Sequence, residues 1–380
     1  MGLSKTIWAK PAEYLGHQQP ENPVLFFAPG VLHDTARLFV DSFPGLVTYA
    51  VKSNPQEVVI ANLAAAGLRG FDVASPAEML MIRRLAPEAV MHYNNPVRAR
   101  SEIAVGVALG VKSWAVDSRS ELAKLVEMVP AAGCEISVRF TLPVAGAACN
   151  FGARFGAAPD LAADLLRVVG QAGFTPSLTF HPGTHGESAD AWESHIQAAA
   201  EIAAAAGVRI ARLNVGGGFP GHRKTAARPD LPAIFARIDA ATGAAFGVDR
   251  PSLVCEPGRA MVAESLTLAA RVKAVRDGAH VFLNDGTHGT LDELPVIGVI
   301  DRTEVLTPRG TRRTGPASGR TVFGPTCDPV DRLPGELMLP DDIAEGDYVL
   351  FHGLGACSIA TNTRFDGFGE VTMETVLALR

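Results

Sequence analysis

From about Leu46 to Glu256, short apolar or β-branched runs alternate with alanine-rich amphipathic stretches, the pattern of strand and helix units built on a parallel sheet. Eight strands are predicted: Leu46 to Lys52, Arg69 to Ser75, Ala89 to Asn94, Ser113 to Ser118, Glu135 to Phe140, Ser177 to Gly183, Ala211 to Gly218 and Ser252 to Gly258. Helical patterns fill the gaps, as in PAEMLMIRRLA and APDLAADLLRVVGQAG. Most begin near Ser, Asp or Pro and end at Gly. Eight such units predict an α/β fold, a (β/α)8 barrel, with a doubly wound open sheet as the rival because a linear pattern cannot show closure. After Ser265 the character changes to β-like runs (LTLAARVKAV, HVFLND, TVFGP, YVLFH) separated by Gly, Pro and Asp. The expected organisation is a barrel over residues 27–265 and a second, mainly β domain made of residues 1–26 and 266–380.

Several predicted strands carry a polar residue at their C-terminal end: Lys52, Asp72, His92, Arg139, His181, Asn214 and Glu256. In a barrel such positions converge on the face where active sites are built. Taken singly, each has a bland alternative. Lys52, followed by the Ser53-Asn54-Pro55 turn, could be a lysine snorkelling at the rim. Gly216, Gly217 and Gly218 directly follow a strand, where backbone N–H groups can converge on a phosphate, although a plain tight turn reads the same. Glu256 and Arg259 flank a Pro-Gly turn and could send a carboxylate and a guanidinium to one mouth, or form a closing salt bridge. His181, in FHPGTH, could stack on a flat ring or be a satisfied core histidine. Cys327 and Asp328, in FGPTCDPVD, read as a thiol and a carboxylate presented on a loop, or as a buried Cys beside a capping Asp.

Composition narrows the classes. With 380 residues and 47% hydrophobic content the chain can bury a large core, and 34 basic against 40 acidic residues, a formal charge of −6, leaves no basic stripe for nucleic acid. The opening MGLSKTIWAKPAEYLG shows no signal-peptide pattern, and no membrane span is read in the sequence, so the expected setting is cytoplasmic. Five scattered cysteines, Cys134, Cys149, Cys255, Cys327 and Cys357, lack zinc spacing and read as reduced thiols.

Taken in order, YAVKSNP, FDVASPAEM, FHPGTH, NVGGGFPG, CEPGR, NDG, FGPTCD and RFDGF resemble the ornithine/diaminopimelate/arginine decarboxylase family, pyridoxal 5′-phosphate (PLP) enzymes with an alanine-racemase-like fold. The resemblance runs from Lys52 to Phe368, and FDVAS with FGPTCD is closest to the ornithine branch. It implies that Lys52 holds the cofactor as a Schiff base and that Glu256 bonds the pyridine nitrogen. Gly216, Gly217, Gly218 and Arg259 would bind the phosphate and His181 would stack on the ring, while Asp72, Glu78 and Arg139 would order the site around the lysine. It further implies a homodimer in which Cys327 and Asp328 enter the partner's site, with Cys327 protonating Cα after CO2 leaves. The expected reaction is decarboxylation of a basic amino acid, L-ornithine to putrescine in polyamine biosynthesis being the first candidate.

Departures from the family pattern fall at working positions. Cys357 stands in GLGACS where the family has a phosphate-holding tyrosine, and His288 stands in NDGTHG where an aromatic residue is expected near the substrate. Pro329 follows Cys327-Asp328 where Ser is common, and Asp366 replaces the Asn of F-N-G-F. The Tyr-Asp pair that grips the distal amine in eukaryotic ornithine enzymes has no clear match in LDELPVIGVIDR, which leaves Asp328, with His288 and Glu78 nearby in role, as the substrate contacts. The alternatives are a decarboxylase for lysine, diaminobutyrate, carboxynorspermidine or diaminopimelate, or a non-catalytic homologue like the antizyme inhibitors.

Overall fold

The computed structural model describes residues 7–142, 154–183, 188–222, 225, 228–298 and 301–380. The opening MGLSKT, Cys149 and the Thr184-His185 end of FHPGTH lie outside the described residues. The chain divides into two compact units, one of residues 36–220 and 229–260, the other of residues 1–35, 221–228 and 261–380.

The first unit contains a closed barrel of eight parallel strands, so the (β/α)8 expectation holds and the open sheet is excluded. Numbering starts at β1 (Val24–Phe27), which belongs to the other unit. The barrel strands are β2 (Gly45–Ala50), β3 (Gly70–Asp72), β4 (Val90–Tyr93), β5 (Ser113–Val116), β6 (Glu135–Arg139), β7 (Thr175–Thr179), β8 (Arg212–Asn214) and β9 (Ser252–Cys255). Each overlaps one of the predicted segments. Parallel neighbours need long crossovers, and seven intervening helices from Glu57–Ala65 to Leu231–Phe246 supply them. Closure occurs where β2 pairs with β9, Gly45 opposite Leu253. A Cβ at Gly45 would stand 2.2 Å from the Leu253 carbonyl oxygen, so the seam needs a residue without one.

The stretch Leu231–Asp249 is long and apolar enough on average to cross a membrane, a feature the sequence reading did not single out. It is a barrel-coat helix that carries charge: Arg237 bonds Glu193 at 2.7 Å and Asp190 at 2.6 Å, and Asp239 pairs with Arg250.

The second unit is built on β10 (Leu266–Arg276), β11 (His280–Leu283), β12 (Thr303–Leu306), β13 (Ala317–Phe323), β14 (Leu337–Pro340), β15 (Tyr348–His352) and β16 (Thr372–Thr375). These form one sheet in the order β12-β15-β10-β11-β13-β14, while β1 pairs antiparallel with β10 and parallel with β16. Its core gathers Leu15, Val24, Phe26, Leu306, Tyr348 and Leu350. The short strands β1, β12, β14 and β16 were not predicted.

Candidate active site

Lys52 does not sit on strand β2, as the sequence reading had it. It is the middle residue of a 3-10 turn, Val51–Ser53, that follows the strand. The turn is locked from several sides. Tyr49 Oη donates to the Asn54 carbonyl at 3.1 Å, Asn54 Oδ1 accepts Gln56 N–H at 3.1 Å, and Ala50 N–H donates to Pro257 O at 3.1 Å. Gly258 lies so close that a Cβ there would meet Ser53 Oγ at 2.1 Å. The strain-free route is to hold the lysine's backbone and leave its long side chain exposed at the mouth.

Glu256 directly follows β9, and its Oε1 accepts from the side-chain amides of both Asn94 and Asn214. Asn214 Oδ1 in turn accepts Gly216 N–H at 3.0 Å, and Glu256 N–H donates to Gly216 O at 2.8 Å. The carboxylate and the glycine run are therefore one hydrogen-bonded object. No side chain fits at these glycines: a Cβ at Gly216 would lie 2.3 Å from Phe180 O, and one at Gly218 2.1 Å from Gly183 O, at φ +71° and +80°. At Gly217 it would reach 2.6 Å from Glu256 O and 3.7 Å from His181 Nε2.

Electrostatics tie the remaining barrel residues to this group. Burial raises the Asp72 carboxyl well above its ordinary range, with the charge of Glu256 adding to it. Burial also raises Glu256, against the opposing effects of the Asn214 bond, Arg139 and Lys52. Two carboxyls pushed up together resist carrying two negative charges at once. Lys52 is the cation already present, since its field pulls Asp72, Glu78 and Glu256 downward. Arg139 is itself lowered by burial and feels Glu256, Asp117 and Asp72. His181 is lowered to about 3 by burial, with Arg139 and Lys52 contributing. It is a neutral ring, and because its Nδ1 accepts Gly183 N–H at 3.2 Å, its proton sits on Nε2.

Glu78 lies within reach of the Lys52 field but also does a local job. Its Oε2 accepts Ala74 N–H at 2.6 Å, and Ser75 Oγ accepts Glu78 N–H at 3.3 Å, capping the helix Pro76–Leu85. Arg259 opens the short helix Arg259–Val262 after the Pro-Gly turn. His92 requires correction: it is buried, pushed to about 3 by burial and by Arg212, and among the described residues it shows no interaction with the Lys52 group. Asn94, two residues on along the same strand face, is the residue that reaches Glu256. The sequence reading missed it, although the polar pair Asn94-Asn95 ahead of Pro96 was a visible signal. A separate cavity of about 610 Å³ opens at the other rim of the barrel, lined by Gly45, Arg212, Arg250 and Leu253, and contains none of these residues.

The remaining predicted residues lie in the β-rich unit. His288 Nε2 meets Asp328 Oδ2 at 3.1 Å, with the His288 ring 4.7 Å from Phe365. Asp328 Oδ1 also accepts Val330 N–H at 3.0 Å. Cys327 is exposed, and its thiol donates to Asp366 Oδ2 at 3.4 Å. Asp331, another residue missed in the sequence, is 1% exposed and knits these loops. It accepts from Thr287 N at 2.8 Å, Thr287 Oγ1 at 3.1 Å, Thr326 N at 3.1 Å and Thr326 Oγ1 at 2.7 Å. Cys357 stands in left-handed backbone at φ +62°, its carbonyl accepting Thr361 N–H and Oγ1 at 3.0 and 2.8 Å.

The barrel group fits PLP by the shape and chemistry of its own atoms. A run of three glycines, two of them at positive φ, lets a phosphate approach the backbone without meeting a side chain. A buried carboxyl held by two amides suits a ring N–H, and a neutral histidine ring beside the glycines suits a flat aromatic face. Asp72 Oδ1 and Asn94 Oδ1 are buried without a hydrogen-bond partner among the described residues, two acceptors beside Glu256 left for a ligand's donors.

Comparison with known proteins agrees. Residues 31–263 match the family described as pyridoxal-dependent decarboxylase, pyridoxal binding domain. A chloroplastic ornithine decarboxylase of Nicotiana glutinosa is 33% identical over 355 residues, 87% of this chain and 78% of that protein. Among solved structures, the arginine decarboxylase of Paramecium bursaria Chlorella virus, bound to agmatine, matches with a TM-score of 0.83 at 25% identity over 94% of this chain and 98% of that one. The lysine decarboxylase of Selenomonas ruminantium matches with a TM-score of 0.81 at 26% identity, over 95% and 93%.

Proposed function

This chain belongs to the pyridoxal-dependent decarboxylases and is an amino-acid decarboxylase with PLP as its cofactor, and from that premise we propose that its substrate is a basic amino acid, L-ornithine first, giving putrescine. The observation that carries the site assignment is the coupling of Glu256, Asn214 and the glycine cradle into one hydrogen-bonded unit. The basic-substrate class is supported by relatives that act on ornithine, arginine and lysine on the same scaffold.

Bound there, PLP supplies an electron sink for the pair left on Cα when CO2 departs. Lys52 would hold its aldehyde carbon and yield that position to the substrate amine. Glu256 would accept the ring N–H, whose positive charge would oppose the upward push of burial on this carboxyl. His181 would lie against the ring as a neutral plate, Arg259 and Gly216 to Gly218 would take the phosphate, and Asp72, Glu78 and Arg139 would orient the lysine. Cys357 would stand near the phosphate without the hydroxyl that a tyrosine offers.

The β-rich unit would serve the second half of the reaction. Cys327 would give its proton to Cα, and Asp328 with His288 would contact the substrate side chain. The reading assigns a homodimer in which this loop serves the partner subunit's barrel. It is supported by apolar surface around the exposed thiol: Val330, Phe365 and Phe368 are 66%, 45% and 36% exposed. Cys134, Cys255 and Cys327 are free thiols, which suits the reducing cytoplasm.

One observation favours a substrate other than ornithine. The carboxylate of Asp328, which a distal ammonium would seek, is already engaged by His288. A panel of lysine, ornithine, arginine, diaminobutyrate, carboxynorspermidine and diaminopimelate, read by CO2 and amine release from PLP-loaded protein, ranks these readings. Borohydride reduction followed by peptide mass spectrometry should place a pyridoxyl group on Lys52; an unlabelled Lys52 peptide, or the absence of turnover with every member of the panel, would overturn the proposal.

A further inference from the structure

The Cys327 thiol and the Asp366 carboxylate are both short side chains on fastened turns. Asp331 pins the Cys327 loop through Thr326, Oγ1 of which donates to it at 2.7 Å. The Asp366 turn, Phe365–Gly367, is tied down on its N-terminal side, where Thr363 N and Oγ1 donate to the His288 carbonyl at 3.2 and 2.7 Å. On its other side Asn362 Nδ2 donates to Gly369 O at 3.0 Å. Asp366 itself adopts φ 52° and ψ 18°, a conformation that Asp and Asn accept more readily than most residues. The 3.4 Å contact between Sγ and Oδ2 is thus set by backbone that other residues hold in place.

We propose that Asp366 is a positioning residue that keeps Cys327 as a thiol at working pH, so that the sulfur carries the proton Cα requires. The inference rests on the assignment of Cys327 as that proton donor. In the donation the S–H bond breaks and the Cα–H bond forms. The S–H electron pair stays on sulfur, and the thiolate regains a proton from solvent before the next cycle. A carboxylate in contact with sulfur opposes the negative form, and the S–H turns from Asp366 Oδ2 to Cα when the proton is given up.

The balance of charges around the sulfur agrees. The thiol is raised above its ordinary value, first by the hydrogen bond to Asp366, then by the charge of Asp366, with Asp328 a smaller contributor. Asp366 faces the sulfur from its turn and Asp328 from the thiol's own loop, while His288 contacts Asp328 rather than the sulfur. The resembling family has Asn at this position, which can accept the same bond but brings no charge. Asp366→Asn therefore separates electrostatic holding from hydrogen-bond geometry, and it preserves the left-handed backbone.

The test is the pH dependence of Cys327 alkylation by iodoacetamide in PLP-loaded protein, followed by peptide mass spectrometry. In Asp366→Asn the midpoint should fall, read as several-fold faster labelling near neutral pH, whereas Asp366→Glu should stay close to wild type. The alkaline limb of kcat should move in the same direction. Midpoints unchanged in both Asp366→Asn and Asp366→Gly would overturn the proposal. Cys327→Ala separates the two levels: amine formation at the wild-type rate in that variant would remove the donor assignment itself. Lost amine formation there, together with midpoints unmoved in both Asp366→Asn and Asp366→Gly, would remove only the role of Asp366.

Discussion

Asn214 donates through Nδ2 to Oε1 of Glu256 while its own Oδ1 accepts the N–H of Gly216, so one amide sets both the carboxylate and the start of the glycine cradle. Replacing it by alanine leaves a buried acceptor and a buried donor short of partners. Such a loss costs about 1–3 kcal/mol, and because both groups belong to the cofactor site, PLP affinity should fall by roughly ten- to a hundredfold in Asn214→Ala. Titration of cofactor-free protein with PLP, followed by absorbance, measures this. An unchanged dissociation constant would show that Asn94 alone suffices to hold Glu256.

Asp285, 2% exposed in the NDG motif, has its carboxyl raised to about 7, chiefly by burial, despite bonds from Gly286 N at 2.9 Å and Thr290 N at 3.2 Å. Its folded value lies above the ordinary 3.8, so its contribution to stability is complete below about pH 4 and is lost as pH rises through about 7. Asp285→Asn removes that titration. Between pH 5 and pH 8 the variant should gain on the wild type by on the order of 2 kcal/mol in urea unfolding, and a pH-independent difference would contradict the assignment.

His288 and Asp328 meet at 3.1 Å with side chains about a third exposed (30% and 28%). If Asp328 receives the distal ammonium of a diamino acid, His288 competes for the same oxygen. His288→Tyr should then lower KM for ornithine or lysine several-fold with little change in kcat, since solvent screening keeps such a partly exposed pair worth about 1 kcal/mol. Steady-state kinetics on both substrates decide it. A raised KM would mean that the pair itself shapes the pocket.

The barrel and its chemistry were legible for different physical reasons. Alternating apolar strands and capped helices are local properties, so the eight units could be counted from the chain, and Gly216 to Gly218, Glu256 and Lys52 stood at recognisable strand ends. Closure was not legible, because it depends on Gly45 meeting Leu253 across more than two hundred residues of sequence. His92 misled for a similar reason. A strand pattern gives the face on which a side chain lies but not its depth in the barrel, and only the fold shows His92 buried and Asn94 at Glu256.

What the sequence determined by itself was therefore the set of elements and the residue types that could hold a phosphate, a ring nitrogen and an aldehyde. Tertiary structure decided which partners each of those residues has. Asn94 and Asn214 share one carboxylate oxygen, Asp331 binds two loops, and His288 and Asp366 stand beside Asp328 and Cys327. These pairings join positions up to 162 residues apart. Hydrogen bonds and charges act over a few ångströms of space, whatever the separation along the chain.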